Sequence, residues 1–382
     1  MIFFDINTFY NSKGGGIRTY HDAKIDYFLK NDSDSYFLIY PGPKYKIDRV
    51  GKNVTLVQVY GKTITKDPEG YRLLLDYLKI YKLIKKIQPD IVEAGDPYLT
   101  GLFCLFAPLP KEIVRSAFFH ADSIETYLKP FLLSKKIIFA EKISLVIEKL
   151  FFNLHKKFDA ILVASRSMEK KLYRYGVDRT YYVPFAYDPL MMEVYHNRTV
   201  EDRGEGIRLL YAARLDREKS VDTLLKIIPE LLENPKVHLS VAGRGQYEEE
   251  FAKISHSRFK YLGYISSRVE LADIYRNHQI FLATGKYETF GFSILEAMAA
   301  GLLVVGPDRG ETGERLKECR SSYMYRAEDE KSFLEKIFMA CNSNLDLEAQ
   351  TAHKFAEGFG GWNNAIDRMI QGYKKNISKY AG

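Results

Sequence analysis

The stretch IRLLYAARLDREKSVDTLLKIIPELLENPKVHLSVAG, Ile207 to Gly243, decides the fold. Ile207–Ala213 reads as a short buried strand, Val221–Leu232 as a helix, and Val237–Ala242 as a second strand. Strands joined through a helix of this length lie parallel, with a right-handed crossover. The alternation continues with helix Tyr247–Ile254, strand Phe259–Tyr264, helix Val269–Asn277, strand Gln279–Ala283, helix Ser293–Ala300 and strand Leu302–Val305. The first half runs similarly. Strands are expected at Ile2–Ile6, Tyr36–Tyr40, Val54–Tyr60, Ile91–Ala94, Ile113–Phe119 and Ala160–Ala164. Helical spacing covers Tyr71–Gln88 and about Leu132 to Lys157, and Ser165 is positioned to N-cap a helix stopping at Gly176.

Between the halves, the charged, glycine-bearing stretch HNRTVEDRGEG (His196–Gly206) breaks the pattern and is the expected linker. The expectation is an α/β protein of two Rossmann-like, doubly wound parallel-sheet domains, residues 1–195 and 207–361, facing a central cleft. Ligands of such sheets bind beyond the carboxyl ends of the strands. A chain of 382 residues suits two domains.

Composition narrows the function classes. A 46% hydrophobic, 27% charged chain is globular, which excludes disorder and collagen-like repetition. Three dispersed cysteines, Cys104, Cys319 and Cys341, make neither a disulfide framework nor a zinc motif, so a reducing, cytoplasmic setting is expected. The first residues carry Asp5 and no basic run, so no secretory signal is expected, nor is a membrane span. The net charge of +7 is confined to residues 1–200, with 30 basic against 22 acidic side chains. No nucleic-acid-binding motif accompanies it, so a nucleic-acid partner is not expected.

The richest stretch chemically is KYETFGFSILEAMAAG, Lys286 to Gly301. Glu288 falls in a strand-end loop and Glu296 in the first turn of the next helix, with Phe290-Gly291 between them. Glycine admits close backbone approach, helix-start N–H groups bind phosphate, and a carboxylate there accepts hydrogen bonds from sugar hydroxyls. The plainer alternative makes both glutamates helix-start acids. In the loop ARLDREKS, Arg214 and Lys219 form a basic pair suited to a diphosphate, or else a solvated loop. Gly14-Gly15-Gly16 follows the first strand and opens a helix, as a phosphate-approach loop or a simple turn. His120 ends the strand Ile113–Phe119, poised for a hydroxyl or merely structural. No histidine or carboxylate cluster argues for a metal.

These features resemble the family 4 retaining glycosyltransferases of the GT-B fold. YAARLDREKSVDTLL is similar to the family's strand-Arg-x4-Lys-helix segment, VAGRGQYEEE to its Gly-x-Gly turn, YLGYI to its base-side loop, and KYETFGFSILEAMAAGLLVVGPDRG to its Glu-x7-Glu motif. In the first half, GGGIRTY resembles the sugar-side glycine loop and FFHADSIETY the histidine loop; the terminal FGGWNNAIDRMI, which opens the segment 362–382, resembles the closing helix that crosses back to the first domain. The resemblance implies that Arg214 and Lys219 hold a donor diphosphate, Glu296 the nucleotide ribose, and Glu288 donor-sugar hydroxyls. It further implies that Gly15, Gly16, Gly243, Gly263, Phe290 and Gly291 line the nucleotide-sugar site, with His120 meeting the sugar. The implied reaction is metal-independent transfer, with retention, of a hexose (mannose or glucose) from a UDP- or GDP-linked donor to a glycan or lipid-linked acceptor. No separate cofactor is implied. A sugar phosphorylase, a sugar-nucleotide epimerase and a silent sugar-nucleotide-binding module are the alternatives; free sugar phosphate as product would mark the first. Two segments depart from the family pattern: Phe185-Ala186-Tyr187-Asp188 stands where Asn-Gly-x-Asp is usual, and Thr284-Gly285 where Pro-Ser is usual.

Lys135, Lys142, Lys149 and Lys156 recur every seven residues, forming one stripe on a continuous helix. Either the stripe is a wet edge, or it docks the protein on an anionic membrane face, the inner face of the cell membrane, with Phe151 or Phe152 entering the interface.

Overall fold

The computed structural model describes residues 1–11, 15–64, 70–120, 122, 124–199, 206–288, 290–320 and 323–377. Gly14, most of the expected linker and residues 378–382 lie outside them. The chain forms two compact units, Met1–Phe185 with Trp362–Gly382, and Ala186–Gly361. The first therefore ends ten residues before the boundary read from the sequence. The reason is local: Asp188 caps the helix Pro189–His196, accepting from the Leu190 N–H at 3.0 Å. That helix packs on the second unit's helices Arg268–Arg276 and Phe292–Ala299.

In the first unit the strands are β1 (Ile2–Ile6), β2 (Ser35–Gly42), β3 (Lys46–Arg49), β4 (Val54–Thr63), β5 (Arg72–Leu74), β6 (Ile91–Ala94), β7 (Val114–Phe119), β8 (Ala160–Val163) and β9 (Thr180–Tyr182). Their order is β3-β4-β2-β1-β6-β7-β8-β9, with β5 beside β4. All pairs are parallel except β3–β4 and β4–β5. The switch in strand order falls between β1 and β6, the place where such sheets bind ligands. Two helices differ from expectation. The segment read as a helix from Tyr71 begins instead with β5, and its helix spans only Tyr77–Ile87, because the Asp76 carboxylate caps the Lys79 N–H. The segment 132–157 is two helices, Lys129–Ser134 and Ala140–His155, broken where Lys136 and Phe139 adopt positive φ. The lysine stripe is therefore not continuous: Lys135 and Lys156 cap helix ends, and only Lys142 and Lys149 share a helix. Phe152 is fully buried and Phe151 packs on the same core, so neither can enter a membrane.

The terminal helix Trp362–Ile377 packs on the helix Gly16–Lys30, and its Tyr373 hydroxyl reaches Glu93 of β6. Beside them Lys24 pairs with Asp5 and, at 3.4 Å, with Glu93. All three charged groups are enclosed, and two carboxylates around one ammonium leave one charge uncompensated. Burial, reinforced by Asp5 and opposed by Lys24, pushes Glu93 from 4.5 up to about 7. Between those values the native state holds a proton that the unfolded chain releases, so stability falls as pH rises through that window. Glu93→Gln should flatten this slope. Thermal midpoints measured across the window check it, and an unchanged slope contradicts the assignment.

The second unit has strands β10 (Ile207–Ala212), β11 (Val237–Ala242), β12 (Phe259–Gly263), β13 (Ile280–Leu282), β14 (Leu303–Pro307) and β15 (Tyr323–Tyr325), ordered β12-β11-β10-β13-β14-β15 and parallel throughout. Its helix Val221–Leu231 buries Val221, Leu224, Ile227, Ile228 and Leu231, at helical spacing, into the core. Here the switch point lies between β10 and β13.

Candidate active site

Both strands at that switch point end in the loops that carry the charged motifs. The β10 loop continues through Arg214 into a short 3-10 turn, Arg217–Lys219. The β13 loop runs through Thr284 to Gly291, which adopts φ +70 and opens the helix Phe292–Ala299. The loops meet directly: the Lys219 ammonium pairs with the Glu288 carboxylate, and the Thr284 hydroxyl donates to the Lys219 carbonyl at 2.6 Å. Thr284, in the unusual Thr-Gly pair, thus ties the two loops together. Arg214 lies in the same loop as Lys219, its guanidinium held by Glu218 and by Asp216 at 3.0 Å.

The Gly-x-Gly turn after β11 closes on the β10 loop. Gly243 has φ +144, and a Cβ there would overlap the Ala213 carbonyl, so only glycine fits. Gly243 N–H donates to the Gly263 carbonyl at 2.8 Å, Leu215 N–H to Arg244 O at 2.9 Å, and Gln246 N–H to the Asp216 carboxylate at 3.1 Å. A Cβ on Gly263 would meet nothing within 4 Å, so that loop borders open space.

Glu296 is the fifth residue of its helix, one residue deeper than the sequence suggested because the helix opens at Phe292, and is buried. Burial raises its pKa, and Arg268, 2.5 Å away, opposes the shift. Arg268 also binds Asp188 at 2.8 Å, so one guanidinium joins two carboxylates. Phe290 and Gly291 are clamped by Arg315, which is buried. Its guanidinium lies 4.5 Å from the Phe290 ring centre and donates to the Gly291 carbonyl at 3.0 Å. Neither Arg268 nor Arg315 was singled out from the sequence, because each acts through a partner 24 to 80 residues away. Arg214, Lys219, Gly243, Gly263, Glu288, Phe290, Gly291 and Glu296 all belong to the second unit. A recess of about 550 Å³ lined by Leu225, Ile228, His256 and others shares no residue with these loops.

The first unit holds the remaining candidates. Gly15 caps the helix that Gly16 begins, and a Cβ on Gly15 would project into open space. His120 follows β7 and stacks on Phe118, with ring centres 4.5 Å apart, beside Tyr20 and Phe185. Both its ring nitrogens are buried and find no hydrogen-bond partner among the described residues. Burial, then the Lys24 charge, lowers its pKa to about 3, so the imidazole is neutral. A neutral ring carries one donor and one acceptor, both here unused. Lys135, Lys142 and Lys149 belong to this unit too. Among the described residues, no group of three or more His, Cys, Asp or Glu side chains is placed to hold a metal ion.

Two doubly wound α/β units in one chain, one with charged loops at its switch point, are the architecture of the GT-B fold. A sucrose-phosphate synthase from Thermosynechococcus elongatus shares the fold, with a TM-score of 0.74 and 14% identity over 99% of this chain and 100% of that one. Residues 14–189 match the family described as Glycosyltransferase Family 4, and residues 206–342 match Glycosyl transferases group 1. The chain belongs to the family 4 glycosyltransferases. It is 25% identical to a GDP-mannose-dependent alpha-mannosyltransferase of Mycolicibacterium smegmatis, over 63% of this chain and 62% of the relative. It is 27% identical to the GtfA subunit of a UDP-N-acetylglucosamine–peptide N-acetylglucosaminyltransferase of Streptococcus pneumoniae, over 45% of this chain and 35% of the relative. The chain thus spans from about a third to under two thirds of the length of these curated relatives.

Proposed function

We propose that the protein transfers a hexose, with retention, from a nucleoside-diphosphate sugar to a hydroxyl of a glycan or lipid-linked acceptor, without a metal ion. The observation that carries this reading is the meeting of Lys219 and Glu288 at the β10–β13 switch point, with Arg214 in the same loop. Two cations there serve the diphosphate in place of a metal. Arriving phosphates exchange for the carboxylates that now hold Arg214 and Lys219, and the released Glu288 turns to the sugar hydroxyls. Glu296, oriented by Arg268, accepts from the ribose.

In the step itself the bond from the anomeric carbon to the phosphate oxygen breaks. The acceptor oxygen forms its bond on the same face, and its proton passes to the departing phosphate. Arg214 and Lys219 stabilise the charge that grows on that leaving group, and the protein otherwise contributes position. The neutral His120 offers its unused nitrogens to a hydroxyl.

The two named relatives act on different donors, GDP-linked in one and UDP-linked in the other, so the base and sugar need a direct test. UDP-, GDP- and ADP-linked hexoses are each incubated with the protein, and the sugar first released by slow donor hydrolysis is followed by proton NMR. Early appearance of the donor's own anomer supports retention. The opposite anomer overturns it.

A further inference from the structure

The helix Ala140–His155 is amphipathic in the wrong sense for a helix that faces water. Its inward stripe is Ala140, Ser144, Glu148, Phe152 and His155, and Glu148 is satisfied there by Lys171 and by the Tyr175 hydroxyl at 2.8 Å. Its outward faces carry Leu145, Val146 and Leu150, each more than half exposed, flanked by Ile143 and Ile147. The preceding turn adds Ile138 at 76% exposure and Phe139 at 67%, turned out where Lys136 and Phe139 take positive φ. Ten of the 28 exposed large apolar side chains among the described residues fall within residues 131–150. Scattered exposed apolar residues are ordinary, but a concentration like this marks a surface that something covers.

The charges on the patch say what covers it. Lys135, Lys136, Lys142 and Lys149 are exposed in this segment, against one exposed carboxylate, Glu141. Two of these ammonium groups lie over patch aromatics, Lys142 at 5.4 Å from Phe139 and Lys135 at 6.0 Å from Phe131. Their stems thus run along the apolar surface with the charges at its rim. A second copy docked face to face through a twofold axis would set this lysine rim against itself. An anionic bilayer offers the complement on both counts, headgroup charge for the lysines and acyl chains for Ile138, Phe139, Leu145, Val146 and Leu150. We propose that residues 131–150 form a peripheral docking surface that seats the first unit on an anionic lipid bilayer. The inserting residues are the turn at Ile138-Phe139 and the outer face of Ala140–His155, not Phe151 or Phe152. No helix among the described residues is long and apolar enough to cross a membrane, so this contact would be interfacial. That the acceptor is itself lipid-borne is a corollary that rests on the transferase reading above; the docking does not.

The test is co-sedimentation with vesicles of equal parts phosphatidylglycerol and phosphatidylcholine, beside pure phosphatidylcholine, a readout independent of any transfer. Salt at about 0.01 M and about 1 M sets screening lengths of roughly 30 and 3 Å. The protein should sediment with the anionic vesicles at low salt, weakly or not with the neutral ones, and be released at high salt. Each lysine near such a surface is worth roughly fivefold in partitioning. The variant Lys135→Glu/Lys142→Glu/Lys149→Glu should therefore lose at least about a hundredfold. A second variant, Ile138→Ser/Leu145→Ser/Leu150→Ser, should lose comparably without any change in charge. Both sets of positions are exposed, and unchanged nucleotide binding and thermal midpoint would show both variants folded. The proposal is overturned if the wild type ignores anionic vesicles at low salt, or if both variants bind as it does. It is equally overturned if the serine variant dissolves a dimer seen by ultracentrifugation while vesicles are ignored.

Discussion

Replacing Arg214 or Lys219 by alanine should lower the rate of glycosyl transfer by roughly 10²–10³, the scale of removing one preorganised group that stabilises developing charge. The two losses have different characters. Arg214 pairs with Asp216 and Glu218 of its own loop, so its removal takes one cation from the diphosphate side, leaves Lys219 in place and breaks no contact between the two loops. Lys219 is the link between the β10 and β13 loops, so its removal also leaves Glu288 facing the diphosphate uncompensated. The double variant Lys219→Ala/Glu288→Ala should therefore recover nucleotide binding relative to Lys219→Ala alone, though not turnover. Steady-state kinetics of the single variants with the identified donor provide the check, and near-wild-type turnover in both would remove these residues from the mechanism.

The second large effect separates the two glutamates. Glu296→Ala should weaken nucleotide binding by roughly 10- to 100-fold, as expected for losing a hydrogen bond to a charged group. The fold should survive, because Arg268 keeps Asp188 as its partner. Glu288→Ala should leave nucleotide affinity intact or slightly tighter, since Lys219 is then free for phosphate, while transfer falls. Calorimetric titration beside turnover measurements distinguishes these outcomes. The reversed pattern would exchange the two roles.

How much of this could be read from the sequence depends on how local each signal is. The strand–helix–strand pattern of Ile207–Ala242, the loops bearing Arg214, Lys219 and Glu288, and the helix bearing Glu296 were legible because periodicity and spacing are local properties. The break between Ser134 and Ala140 was not, because no glycine or proline stands there; Lys136 and Phe139 take positive φ without one. Helical periodicity therefore ran on unbroken, and the lysines were aligned into a stripe that the backbone does not keep. Likewise the packing of Pro189–His196 on the second unit, and the clamps from Arg268 and Arg315, depend on residues far apart in the chain. The buried Lys24–Asp5–Glu93 cluster with Tyr373 escaped for the same reason, each member coming from a different element.

The central claim is that the loops at the β10–β13 switch point form a nucleoside-diphosphate site. Calorimetric titration of the wild-type protein with UDP, GDP and ADP tests it most directly. At least one should bind with a stoichiometry of one per chain, and Arg214→Ala and Glu296→Ala should each weaken that same binding. If the wild type gives no binding heat or thermal shift with any of the three, the site is not what these loops have been taken to be.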